Sequence, residues 1–222
     1  LICNGEIYNH NELIKKYNFI THTNSDCEVI LHLYERFGIQ KTLIELDGVF
    51  SFIIKDNNNI ICARDPIGVR PCFIGYSDKG IIISSEAKCN VDISNSTIYQ
   101  LQPGSYQIFK NSKYSFSGLY YKLPFKVIPF SLTIYDTIKK LLDMAVKKRL
   151  MSERPIGALL SGGLDSSIIV YLANNYITNL NTFSIGLKGS PDIKYALSVS
   201  KLLNTKHHEV IVSLDDFINS IN

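Results

Sequence analysis

The sequence predicts two halves of different class. The first is α+β with an antiparallel sheet, and the second is α/β with a doubly wound parallel sheet. Three observations carry this. Short strand-like runs separated by tight turns fill residues 49–109, and neighbours joined so closely pair antiparallel. From residue 156 onward strands and helices alternate instead. A glycine turn, Ser161-Gly162-Gly163-Leu164-Asp165-Ser166-Ser167, joins the first of those strands to its helix.

The elements follow in order. The chain opens in strand-like residues, Leu1-Ile2-Cys3. Helical patterns cover Asn11–Tyr17 and Asp26–Phe37, the second with Val29, Ile30, Leu33 and Phe37 on one face. Strands are expected at Val49–Ile54, Ile60–Ala63, Cys72–Tyr76, Ile81–Ser84 and Tyr106–Phe109. The breaks Asp56-Asn57-Asn58-Asn59, Asp65-Pro66-Ile67-Gly68 and Ser77-Asp78-Lys79-Gly80 are turn chemistry. Pro124 and Pro129 interrupt the pattern, so residues 1–122 read as one domain, 123–131 as a linker and 132–222 as a second domain. Linker residues Leu123, Phe125, Val127 and Ile128 are apolar enough to lie against a surface. A helix beginning at Leu132 carries a stripe of Ile134, Ile138, Leu141, Leu142, Ala145 and Val146. Then come strand 156–160, helix 165–174, strand 182–186, helix 192–203 and strand 208–212.

Composition excludes several classes. The chain has 222 residues, 45% hydrophobic and 19% charged, with a net charge of +3. That balance carries no nucleic-acid footprint. The lysine pairs 139–140 and 147–148 have no aromatic interleaving and read as a solvated helix face. The five cysteines are scattered, without a CxxC pair. Disulfides and a cysteine metal site are therefore not expected, and a reducing compartment, the cytoplasm, fits. No apolar run approaches the roughly 18 residues that span a bilayer, so no membrane partner is expected.

The loop 161–167 is the sharpest chemical signal. A strand–glycine turn–helix presents successive N–H groups at a helix N-terminus, where anions bind. Its serines add donors, and with no lysine it is not the loop that grips β/γ-phosphates through GxxxxGK[ST]. An ordinary turn with Asp165 or Ser166 capping the helix is the plain alternative. The heptapeptide as a whole resembles the pyrophosphate loop of the N-type ATP pyrophosphatases.

A second set lies early: Asn4-Gly5-Glu6-Ile7-Tyr8-Asn9-His10, Ser25-Asp26-Cys27-Glu28, Asp47-Gly48-Val49-Phe50-Ser51-Phe52 and Arg64-Asp65-Pro66-Ile67-Gly68-Val69-Arg70-Pro71. Each alone has a structural reading: a turn, a helix cap at Asp26, a turn between arginines. Together they resemble the glutaminase domain of the class II amidotransferases, an Ntn-hydrolase-like αββα domain. Joined to the loop in one chain, they resemble the glutamine-hydrolysing asparagine synthetases over essentially all of the sequence. Phe183-Ser184-Ile185-Gly186, Ser190-Pro191-Asp192 and His207-His208-Glu209 also match the synthetase half of that family.

The resemblance implies roles for single residues. Asn4 would supply an oxyanion-hole amide and Gly5 a backbone N–H, through a backbone that a side chain would block. Asn4, Glu6 and Asp26 would bind glutamine, the carboxylates taking its ammonium. Arg64 to Arg70 would be scaffold or domain interface. Ser161, Gly162, Gly163, Asp165, Ser166 and Ser167 would bind ATP, with Asp165 also orienting Mg²⁺ on the phosphates. Leu159 and Ile185 would flank the adenosine, or belong to the core. Asp192 reads as a helix cap. His207 and His208 point to opposite strand faces and read as structural, so no protein-held metal site is expected.

The implied reaction converts aspartate to asparagine with ATP through a β-aspartyl-AMP intermediate. Ammonia from glutamine would reach it through an interior passage that keeps it unprotonated. Glutamine, aspartate and ATP are the implied small-molecule partners, and a homodimer is left open. The family's N-terminal cysteine nucleophile and an upstream arginine have no counterpart, since Cys3 lies inside the strand. The sequence is expected to be a fragment that catalyses neither half-reaction as it stands. Two alternatives remain: a related amidotransferase or lactam-forming enzyme acting on another carboxylate, and a non-catalytic remnant.

Overall fold

A computed structural model describes residues 1–77, 80–91, 97–125, 129 and 131–221. Asp78 and Lys79 of an expected turn, and Val127 and Ile128 of the expected linker, lie outside the described residues. The chain divides into two compact units, Leu1–Val127 and Ile128–Asn222.

The first unit begins with β1 (Ile2–Ile7), α1 (His10–Tyr17) and α2 (Glu28–Glu45). Strands β2 (Gly48–Asp56), β3 (Asn59–Arg64), β4 (Phe73–Ser77) and β5 (Gly80–Ser84) follow. The short helix α3 (Lys88–Val91), β6 (Tyr99–Gln100), β7 (Ser105–Lys110) and β8 (Lys113–Leu119) complete it. One sheet has the order β1-β2-β3-β7-β8 and the other β5-β4-β6. All pairings in both sheets are antiparallel.

Alternation along the strands builds the layers. Phe50, Phe52, Ile54, Ile61 and Ala63 bury against Leu13, Val29, Ile30, Leu33 and Leu43 of the two helices. Residues of the opposite strand face, Ile53, Ile60 and Cys62, pack with Cys72, Ile74 and Leu101 toward the smaller sheet. The order is thus helix layer, five-stranded sheet, three-stranded sheet. The short helix α3 contacts β4 and β5, and a second helix layer, expected for an αββα plan, is not found among the described residues.

Two details of the first unit depart from expectation. Helix α2 does not end at Phe37; it resumes after Gly38, whose φ of 75° and ψ of 172° break its helical run. Phe37 is 37% exposed and leaves the core stripe, packing its ring on Tyr17 at 4.9 Å. Asp26 is not the helix cap either. Cys27 holds that position, without a side-chain capping bond.

The second unit contains α4 (Thr133–Lys148), β9 (Gly157–Leu159), α5 (Leu164–Asn174), β10 (Asn181–Leu187), α6 (Pro191–Leu203), β11 (Lys206–Val212) and α7 (Leu214–Asn219). Its sheet is parallel, in the order β11-β10-β9. Val170, Leu172 and Ala173 of α5, Ala196 of α6 and Val146 of α4 share one core with Leu160 and Leu180. On β10, Thr182 and Ser184 are buried, while Phe183, Ile185 and Leu187 are exposed. One sheet face is therefore covered, and among the described residues the other is open. The α4 stripe has little cover in its own unit: Val146 is buried, but Ile138, Leu141 and Leu142 are exposed. Asp192 lies in the first turn of α6, after the cap position Ser190 and Pro191, and so is not the cap.

Candidate functional sites

In the first unit the Asn4–Glu6 motif lies on β1, an edge strand. Asn4 and Glu6 are exposed and Gly5 is half-buried. Antiparallel pairing makes successive residues face their N–H groups alternately toward and away from the partner strand. Tyr8 donates its N–H to the Asp47 carbonyl at 2.8 Å, at the β2 side. Ile7 turns the other way and donates to Asp26 Oδ2 at 2.6 Å. Gly5 shares the orientation of Ile7, so its N–H points to the open edge. A Cβ on Gly5 would lie 2.2 Å from the Val49 carbonyl oxygen and 2.6 Å from the Phe50 Cα. Close approach of β2 alone therefore demands glycine here.

Asp26 is brought to the same edge by the N-terminus of α2. One of its carboxylate oxygens, Oδ2, fixes β1. Next to it, Cys27 Sγ contacts the Gly5 carbonyl at 3.9 Å. Asn9 and His10, the end of the motif, are structural. Asn9 Nδ2 donates to the Glu45 carbonyl at 2.8 Å, and Asn9 Oδ1 accepts from Asp47 N–H at 3.0 Å. His10 Nδ1 lies 2.9 Å from the Ile7 carbonyl.

The arginine-flanked turn is scaffold, as expected. Asp65 is 1% exposed. Its Oδ1 accepts the N–H groups of Ile67, Gly68 and Val69, and its Oδ2 those of Arg70 and Phe50. Arg64 donates to the carbonyls of Arg70, Gly68 and Leu101. Tyr120 closes the knot with a 2.7 Å bond to the Arg64 carbonyl, and burial pushes its hydroxyl pKa up.

In the second unit, residues 161–167 leave β9 and enter α5 at the end of a strand, where parallel sheets bind ligands. The hydroxyls of Ser161 and Ser166 lie 2.9 Å apart, and Ser161 Oγ accepts from Gly163 N–H at 3.3 Å. Ser166 and Ser167 both donate to the Gly163 carbonyl. Gly163 at the cap position has no side chain to offer the first turn of α5. The two glycines differ. Gly162 has φ +78°, and a Cβ there would meet Ala196 N and Tyr195 Cβ at 2.5 Å. A Cβ on Gly163 would meet only Ser161 Oγ, at 3.4 Å. Gly162 is thus required by α6, whereas Gly163 keeps open a space above the turn. Asp165 is exposed in that first turn.

Beside the loop is a pocket of about 220 Å³ lined by Leu159, Leu160, Ser161, Phe183, Ser184, Ile185, Asp192 and Ile193. Leu159 is 80% and Ile185 66% exposed, so neither is core in this structure. Phe183 also lines it, a residue that the sequence reading quoted in the 183–186 match without giving it a role. Its signal was the strand period, since 183 and 185 must share a face. The two histidines do face opposite ways. His207 bonds Thr182 at 3.0 Å and Ser184 at 3.1 Å on the covered face. His208 stacks on Phe183 at 4.9 Å and reaches Asn181 Oδ1 at 3.0 Å. Among the described residues, no group of three or more His, Cys, Asp or Glu could hold a metal. No described helix is long and apolar enough to cross a membrane.

Comparison with known proteins follows the same division. Residues 1–91 match the family model of the glutamine amidotransferase domain, and residues 137–222 match that of asparagine synthase. The mouse protein described as asparagine synthetase [glutamine-hydrolyzing] is 37% identical over 254 aligned residues. That alignment covers 100% of this chain and 45% of the mouse protein. The Sandersonia aurantiaca protein of the same description is 40% identical, with 98% of this chain and 44% of the relative covered. A solved B. subtilis glutamine phosphoribosylpyrophosphate amidotransferase aligns at TM-score 0.49 and 18% identity, covering 99% of this chain and 49% of that one. The chain is thus similar to the glutamine amidotransferase domain over residues 1–91 and to asparagine synthase over residues 137–222, and it spans less than half the length of the curated relatives it matches.

Proposed function

We propose that this chain is part of a glutamine-dependent asparagine synthetase. The observation that carries the reading is the pairing, in one chain, of an open β1 edge bearing Asn4, Gly5 and Glu6 with an open anion cradle at 161–167.

At the first site, Asn4 and the outward N–H of Gly5 would stabilise the oxyanion formed as glutamine is hydrolysed. Glu6 and the Asp26 carboxylate would take the ammonium of the substrate. At the second, ATP fits the space above Gly163: its pyrophosphate at the N-terminus of α5, its purine between Leu159, Phe183 and Ile185. Oxygen donors suit Mg²⁺, and Asp165, exposed in the first turn of α5, would hold it against the phosphates, whose charge it would neutralise. Aspartate activated there as β-aspartyl-AMP would receive the ammonia and leave as asparagine.

The test uses the complete gene product with glutamine, aspartate and ATP–Mg²⁺. Asparagine, AMP and pyrophosphate are expected in equal amounts. AMP formed without asparagine would replace aspartate by another carboxylate, as in a lactam-forming relative. No AMP with any donor would leave the chain a binding remnant.

A further inference from the structure

Between α1 and α2 the chain runs from Asn18 to Cys27 without a helix or strand. Near its end this loop carries Asp26, the carboxylate assigned to the substrate ammonium. Burial does not place that residue. His22, Thr23, Asn24 and Ser25 before it are all exposed, so polar contacts must hold the loop.

Those contacts converge on Glu28, in the first turn of α2. Its Oε1 accepts the His22 N–H at 2.7 Å and lies 3.2 Å from His32 Nε2, one helical turn further on. Phe19, packed on the core, stacks on the His32 ring at 5.2 Å. Glu28 Oε2 accepts the Thr23 N–H at 2.7 Å and the Thr23 hydroxyl. The line continues toward Asp26. Thr23 Oγ1 accepts the Ser25 N–H at 3.2 Å, and the Ser25 carbonyl accepts the Glu28 N–H at 3.2 Å. Residues 22–28 thus close a ring of hydrogen bonds that includes Asp26 in its backbone. From that ring the Asp26 carboxylate reaches across to the Ile7 N–H at 2.6 Å.

We propose that Glu28 is a positioning residue of the glutamine site, fixing the loop that presents Asp26 to the substrate ammonium. Only the ammonium rests on the proposed function; the placement of Asp26 against β1 does not. The donors of Thr23 and His22 pull the Glu28 pKa down to about 2, so at neutral pH both oxygens are acceptors only. A carboxamide cannot take their place. With its NH₂ at the Oε1 position it would face the His22 N–H, and at the Oε2 position the Thr23 N–H. A backbone N–H cannot exchange its role for that of an acceptor, so either orientation opens the ring. An ammonium contact that is the same in ground and transition state acts on KM and not on kcat.

The test uses the complete gene product. Glu28→Gln should raise the glutamine KM about tenfold, with kcat within about twofold and synthesis from added ammonia unchanged. Thr23→Val removes the linking hydroxyl and should act in the same direction, while Thr23→Ser keeps it and should leave the KM native. In an Asp26→Asn background, Glu28→Gln should add nothing further. Amide exchange at Ile7 reads the Asp26 contact without catalysis. It should quicken in Glu28→Gln and Thr23→Val and stay native in Thr23→Ser. A native glutamine KM or a native Ile7 exchange rate in Glu28→Gln would overturn the proposal. So would a KM rise that persists in full beside Asp26→Asn, or equal falls in kcat with glutamine and with ammonia. A native protein that never uses glutamine would count against the proposed function, and the Ile7 exchange rate would still decide whether Glu28 places Asp26.

Discussion

At the end of β3, the turn from Asp65 to Arg70 closes on itself. Its carboxylate accepts four N–H groups of its own loop and one from β2. At the end of β9, the turn 161–167 does the reverse. Its hydroxyls tie the loop to itself through Ser161, Gly163, Ser166 and Ser167, while Gly163 stays open and Asp165 stays exposed. Both are polar, glycine-containing turns that follow an apolar strand. The difference is where the polar groups are spent. A turn whose donors and acceptors are satisfied internally is scaffold, and one that leaves some facing outward can bind.

The most severe break of this contrast is Asp65→Ala. Five N–H groups lose their acceptor at a site that is 1% exposed. A loss of about 3–5 kcal/mol is expected, read as faster hydrogen exchange in β2 and β3 and a lower urea midpoint. Asp165→Ala should stay within about 0.5 kcal/mol. Equal losses at both would remove the distinction.

The two adjacent glycines sharpen it. Gly162→Ala puts a methyl against α6 in a left-handed backbone, for about 1–3 kcal/mol of stability. Gly163→Ala meets open space at φ −70° and should leave stability nearly unchanged. It fills the anion cradle instead, so ATP affinity should drop at least about tenfold, or about 1.4 kcal/mol. Fluorescent-nucleotide titration of both variants separates the effects. Normal binding by Gly163→Ala would move the phosphates elsewhere.

A smaller effect is expected from Leu159→Ala and Ile185→Ala. Both side chains are mostly exposed, so truncation leaves no core cavity. Each should weaken ATP by several-fold, about 1 kcal/mol of lost apolar contact, and leave pyrophosphate binding unchanged. A fall in thermal stability at either position would return these residues to the core.

This is also where the sequence ran out. Strands β2, β3, β5 and β7 were legible because alternation and turn residues are local signals. Strand β8 was not, since Lys113–Leu119 is largely exposed and draws its order from pairing with β7. The continuation of α2 past Gly38 was hidden by a residue that reads as a helix end. The α4 stripe has perfect helical spacing, yet Ile138, Leu141 and Leu142 stay exposed in their unit, because periodicity states which face is apolar and not what covers it. In the site, the loop and the Asn4–Glu6 motif were legible as patterns. The separate duties of Gly162 and Gly163 were not, because Ala196 and Tyr195, which decide them, are more than thirty residues away in sequence.

Glu28 is the intermediate case. Like Asp65 it spends its carboxylate on its own loop, accepting the N–H groups of His22 and Thr23 and the Thr23 hydroxyl, but it does so at the surface. The Thr23 hydroxyl first, and the His22 N–H next, pull its pKa from 4.5 to about 2. A carboxylate whose folded pKa is depressed contributes stability that is full above the unfolded value and fades as pH falls through the folded one. The urea midpoint of the native protein should therefore exceed that of Glu28→Gln above about pH 5, and the two should converge toward about pH 2. The gap should be small, since water competes for every one of these bonds. A gap as large as that of Asp65→Ala would mean that internal satisfaction alone stabilises a turn; a small one that closes in acid would show that burial supplies the rest.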